Sequence, residues 1–220
     1  MPFTETVQLD GCSERDLDEL FECIAAGAVV VFPTDTVYGI GCSAAYVPAV
    51  ARVFSIKRRS PDKPLPVFTS GIDRVVHWIE PAERTDAMRL ATRFWPGPLT
   101  IVVDVAGTGL HTQPPPYPEA STIGFRAPAQ SGLLHLLQRG LLMAQTSLNE
   151  SGHEVIERLD TAEAAVLIQQ ADLLLESQQR PQGWPSTVVR LAKGSWSLLR
   201  EGGISEADVK TVLLEEPGDT

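Results

Sequence analysis

The chain has 220 residues, 43% of them hydrophobic and 21% charged, the balance of a folded globular domain and not of a disordered chain. Its 18 basic and 28 acidic residues give a formal charge of -10, which opposes any general electrostatic grip on nucleic acid or anionic lipid. The apolar stretch 28–32, with 24–26 just before it, falls far short of the roughly 20 residues that span a bilayer. The opening MPFTETVQLD has neither the basic nor the apolar region of a secretory leader, so residence in the cytoplasm is expected. Cys12, Cys23 and Cys42 form no C-x-x-C pair and are read as reduced thiols, not as a disulfide framework or a zinc site.

In chain order, Leu17, Leu20, Phe21 and Ile24 recur at helical spacing behind a capping-box-like Ser13 and Asp16, so residues 13–26 read as a helix stopped by Gly27. The valine-rich run 28–32 reads as a buried strand and PTDTVYGIG as the loop after it. Pro48 opens a second helix with Val50, Val53 and Phe54 on its buried side, followed by the polar stretch KRRSPDK and a strand at 65–69. Helices are expected at 73–79 and 83–94, then the turn WPGP, a strand at 99–105 and an irregular surface loop marked by prolines 114, 115, 116 and 118. A second cycle gives strand 122–126, helix 133–139 stopped by Gly140, strand 141–145, the loop TSLNESG, helix 161–170 and strand 172–176. Two β-like runs at 186–191 and 196–200, a capped helix at 205–213 and a frayed acidic tail complete the chain.

Strands and helices alternate with no long linker or composition break, which predicts one α/β domain over 1–220. PTDTVYG, TSLNESG and the turn before Ser186 fall at strand ends, where open α/β sheets collect ligand groups. No Walker or dinucleotide fingerprint is present, the four histidines form no ligand pair, and no serine sits in G-x-S-x-G. The densest positive patch is Lys57, Arg58, Arg59 and Lys63; next to hydroxyl and amide loops, such cations suit a polyphosphate and a small polar metabolite.

Seven motifs then occur in one order: PTDTVYGIG, the K-x-R of Lys57 and Arg59 followed by KPLPV, WPGPLT, the R-x-P of Arg126, the S-x-N of Ser147 and Asn149, PSTVV and LREGGI. Over roughly residues 15–205 the chain thereby resembles the YrdC-like threonylcarbamoyl-adenylate synthases. The resemblance implies a single-domain twisted mixed sheet with flanking helices and a large concave cleft. It implies synthesis of threonylcarbamoyl-AMP and pyrophosphate from L-threonine, bicarbonate and ATP with Mg²⁺, for a tRNA adenosine modification completed by a downstream threonylcarbamoyl transferase complex. Carried over by motif, Lys57, Arg59, Lys63, Asn149 and Arg200 would hold ATP, and Thr36, Ser147 and Ser186 would hold threonine, with Arg126 a further candidate contact. No protein-held metal, acid, base or covalent serine is implied, because the gain comes from positioning and charge stabilisation.

The chain departs from the family pattern at Phe68, where some members carry histidine, at Leu148 in place of a small alanine, at Arg190 in place of an acid, and at ESQ from Glu176 to Gln178. The competing readings are an O-carbamoyl-adenylating paralogue, whose chains are much longer, and an RNA-binding protein of the same fold, which the net charge and the lack of an RNP aromatic motif oppose.

Overall fold

Alternation along the strands sorts the core into two apolar layers: Val29 and Val31 enter one, and Val30 and Phe32 enter the other. The computed structural model describes residues 5–114, 120–149, 156 and 158–214. Its strands are β1 (Glu5–Gln8), β2 (Val30–Phe32), β3 (Gly39–Ser43), β4 (Val67–Phe68), β5 (Leu99–Asp104), β6 (Thr122–Arg126), β7 (Met143–Ser147), β8 (Leu173–Glu176), β9 (Thr187–Ala192) and β10 (Ser195–Arg200). The helices are α1 (Glu14–Ala25), α2 (Val47–Lys57), α3 (Pro81–Phe94), α4 (Ser131–Gln138), α5 (Ala162–Ile168) and α6 (Glu206–Leu214). The strands form one mixed sheet in the order β1-β8-β2-β3-β7-β4-β6-β5-β9-β10.

The helices cover the two faces of this sheet unequally. On one face α2, α3, α5 and α6 bury Val53, Leu90, Leu167 and Val209 in a core shared with Ile101, Val103, Ile123 and Phe125. On the other face α1 and α4 contribute Leu17, Leu20, Ile24, Leu133, Leu136 and Leu137, which pack with Val30, Phe32, Leu173 and Leu175. Phe68 of β4 and Met143 of β7 join that core, which stops short of β6 and β5. Thr100 and Val102 of β5, and Thr122, Gly124 and Arg126 of β6, alternate with core residues and line an open cleft instead.

The expected elements are present with four differences. An additional strand, β1, pairs in parallel with β8; with Glu5, Thr6 and Gln8 it is too polar to stand out as an apolar run. The end of PTDTVYGIG is not loop but β3, paired with both β2 and β7. Its glycines disguise it: a Cβ at Gly39 would come 2.5 Å from the Phe32 ring, and one at Gly41 2.6 Å from the Ala144 carbonyl oxygen. The 73–79 stretch is two short 3-10 turns, Ile72–Arg74 and Val76–Trp78, and β7 runs on to Ser147. Pro115, Pro116 and Pro118, the end of TSLNESG at 150–152 and the tail at 215–220 lie outside the described residues. Among the described residues, no helix is long and apolar enough to cross a membrane.

Candidate active site

The cleft of about 480 Å³ is bounded by the loop after β2, the segment before β4, strands β5 and β6, the end of β7, and the β9–β10 hairpin. Seven of the nine candidate residues line it: Thr36, Arg59, Arg126, Ser147, Asn149, Ser186 and Arg200. Thr100, Thr122, Gln145 and Thr146 join them. Among the described residues, three arginines line the cleft and no carboxylate does, which concentrates positive potential at one place on an acidic chain.

Arg126, at the end of β6, is almost wholly buried. Its Nε donates to the Gly97 carbonyl at 2.9 Å, Nη1 to Thr36 Oγ1 at 2.9 Å and Nη2 to Asp35 Oδ1 at 2.5 Å. The Phe68 ring lies 5.5 Å from its guanidinium carbon. Burial pulls the Arg126 pKa down, and the Asp35 carboxylate opposes that. A guanidinium has five N–H donors, so one on each Nη remains beyond these contacts and can serve an anionic ligand.

Thr36 presents the opposite polarity. The Thr34 hydroxyl donates to the Val37 carbonyl at 2.6 Å and accepts the N–H groups of Thr36 and Val37, forming a side-chain-closed turn. The two hydroxyls also lie 3.0 Å apart, but the proton and both lone pairs of Thr34 are already engaged by the turn. Thr36 Oγ1 accepts from Arg126 with one lone pair and keeps the other for a ligand.

Lys57 and Arg59 are split by Arg58, whose left-handed φ of 47° ends α2 and sends its neighbours in different directions. Arg59 turns to the cleft, its Nε donating to the Lys63 carbonyl at 2.7 Å and its Nη2 to the Pro64 carbonyl at 3.0 Å. Burial draws its pKa downward. Lys57 is 2% exposed and supports the wall from behind, its Nζ donating to the Ser147 carbonyl at 2.5 Å and to Asn149 Oδ1 at 3.3 Å. The Ser147 hydroxyl also donates to Asn149 Oδ1, at 2.6 Å. Lys63 is exposed and, like Lys57, does not line the cleft.

At the far wall β9 and β10 pair antiparallel with a register shift between Leu198 and Arg200. The bulge at Leu199 redirects the next side chain, as bulges beside ligand sites do. Arg200 Nε donates to the Ser186 carbonyl at 3.0 Å and Nη2 to the Ser186 hydroxyl at 3.1 Å, while burial lowers its pKa. Ser186 Oγ also lies 2.9 Å from Thr100 Oγ1, both side chains being buried.

Asp35 and Thr100 were not among the sequence candidates. A signal for Thr100 exists in the strand itself, where Leu99, Ile101 and Val103 take the core side and leave positions 100 and 102 on the other face. Asp35 had no such signal, since pairing with Arg126 spans 91 positions.

The fold and the site together define an α/β protein with a basic, hydroxyl-lined ligand cleft. The chain belongs to the Sua5/YciO/YrdC family, whose model, described as telomere recombination, matches residues 22–202. It is 32% identical over 193 residues to the threonylcarbamoyl-AMP synthase of Bacillus subtilis, an alignment covering 84% of this chain and 53% of that protein. It is 30% identical over 207 residues to that of Pyrococcus abyssi, covering 87% of this chain and 55% of that protein. A crystal structure of P. abyssi Sua5 complexed with L-threonine superposes with a TM-score of 0.80 at 28% identity, over 97% of this chain and 61% of the other. The chain spans about half the length of these two curated relatives.

Proposed function

We propose that the protein is an L-threonylcarbamoyladenylate synthase, acting on L-threonine, bicarbonate and ATP. The observation that carries this reading is the sorting of polar groups in the cleft. The remaining N–H donors of Arg126 suit the threonine carboxylate, and the Thr36 lone pair beside them suits its amino or carbamate N–H. Arg59 and Arg200 line the same cleft and suit phosphate. The relatives' names and the threonine complex of P. abyssi Sua5 agree with it.

In this reading threonine and bicarbonate condense to the N-carboxylate with loss of water. A carbamate oxygen then attacks the α-phosphorus, and the bond to the pyrophosphate oxygen breaks. Carbamates are weak, short-lived nucleophiles, so the protein's part is to hold the oxygen in line and to stabilise charge on the departing pyrophosphate. Arg59 and Arg200 supply fixed cations for that charge. Lys57 acts through the Ser147–Asn149 wall that it supports, and Lys63 lies outside the lining. With no carboxylate among the described lining residues, Mg²⁺ would be carried by the nucleotide's phosphates. The product would be consumed by a tRNA-modifying threonylcarbamoyl transferase.

Pyrophosphate release from ATP and bicarbonate with threonine, serine or valine tests the proposal. A pocket with polar groups matched to the threonine hydroxyl should reject valine by roughly 10⁴, whereas serine, short of one methyl, should fall only about tenfold to 200-fold behind. Absence of any stimulation by threonine would reject the activity.

A further inference from the structure

We infer that Thr100 is a positioning residue of the amino-acid site, acting through the Ser186 hydroxyl. The inference rests on the proposed synthase activity together with the threonine-holding role that the family resemblance implies for Ser186. Hydrogen-bond accounting leads to it. A guanidinium cannot accept, so in the 3.1 Å contact Arg200 Nη2 donates and Ser186 Oγ accepts. Ser186 keeps one lone pair and one proton. Its remaining contact is the 2.9 Å bond to Thr100 Oγ1, in which either hydroxyl can be the donor.

Two arrangements follow. When Ser186 donates to Thr100, its proton is engaged and it has only a lone pair to offer a ligand. When Thr100 donates to Ser186, the Ser186 oxygen accepts from both Thr100 and Arg200, and its proton is released toward the cleft that both hydroxyls line. In that arrangement Thr100 fixes the serine side chain in one orientation, with its proton aimed at a ligand acceptor and Arg200 still held. Both hydroxyls are buried, so bulk water is a poor substitute for the missing partner. Thr100 belongs to β5, in the interior of the sheet, and its position is set by pairing with β6 and β9 and not by a loop.

The test is calorimetric titration of the whole protein with L-threonine, together with steady-state pyrophosphate release. Thr100→Val keeps the branched shape and deletes the hydroxyl. It should weaken threonine binding and raise KM for threonine about three- to tenfold, the range of one neutral hydrogen bond, with a smaller change in kcat. Thr100→Ser keeps the hydroxyl and should stay within about twofold of the wild type. If Thr100 acts through Ser186, Thr100→Val should have no further effect in a Ser186→Ala background. Thr100→Ala makes the same deletion should the valine variant fail to fold. Wild-type affinity in Thr100→Val, or losses that multiply in the double variant, would overturn the role of Thr100 and leave the synthase reading standing. A wild-type protein that shows no threonine binding would overturn both.

Discussion

The Arg126 guanidinium and the Asp35 carboxylate meet at 2.5 Å with both side chains almost fully buried, tying the end of β6 to the loop after β2. Removing one member of such a pair strands the other charge away from water. Asp35→Ala should therefore cost about 3–5 kcal/mol of stability, and Asp35→Asn, which keeps an acceptor, distinctly less. Urea unfolding of the three proteins measures this. An alanine variant as stable as the wild type would show that the pair is not what holds this loop.

Lys57 and Arg59 stand two positions apart, and their substitutions should separate. Lys57→Met removes a buried charged donor from the Ser147 carbonyl and Asn149 Oδ1, so it should lower stability by about 1.5–3 kcal/mol as well as weaken ligand binding. Arg59→Ala gives up bonds to the Lys63 and Pro64 carbonyls at the cleft edge and should cost mainly affinity for ATP. Thermal melts paired with nucleotide titrations distinguish the two. Equal melting temperatures would remove the supporting role assigned to Lys57.

Gly202 leaves no room for a side chain. A Cβ there would come 2.2 Å from the Pro185 carbonyl oxygen and 2.6 Å from the Ser186 carbonyl carbon, and backbone cannot give way as a flexible side chain can. Gly202→Ala should cost about 1–3 kcal/mol and push Ser186 away from Arg200. Threonine binding should suffer more than that of a control variant of equal stability lost elsewhere, as calorimetry on both would show.

The three thiols should differ in reactivity with pH. Burial pushes Cys42 up to about 12, and the folded protein keeps it protonated across the neutral range. Burial also raises Cys23 and Cys12, with nearby carboxylates adding to the effect. Cys23 is exposed and Cys12 half-buried, so a disulfide reagent should label Cys23 first, faster as pH rises, and Cys42 only after denaturation. Labelling of Cys42 in the native protein near pH 8 would show that β3 opens readily.

The arrangement of helices and strands was legible because apolar periodicity and capping residues are local signals, as at Ser13 and Asp16. The membership of the cleft was legible through motif order, which brought Thr36, Ser147, Ser186 and Arg200 to one place. The direction in which Lys57 points was not. It depends on the single left-handed residue Arg58, and arginine carries no general preference for that conformation. Strand β3 was hidden for a related reason: Gly39 and Gly41 are required by the closeness of Phe32 and β7, which only the tertiary structure shows.

The strand order has a consequence for how the molecule is made. Thr36, Arg59, Thr100, Arg126, Ser147, Ser186 and Arg200 come from nearly the whole length of the chain, and the last of them sits on the outermost strand, β10. Early-synthesised residues can pack α2 on β3, whereas α1 waits for α4 and β8, and the cleft stays incomplete until the final hairpin adds to β5. Pairings this distant in sequence form slowly and late. A prematurely terminated chain ending before residue 200 would thus retain much of the sheet and none of its far arginine, so ligand binding reports completed synthesis more strictly than compactness does.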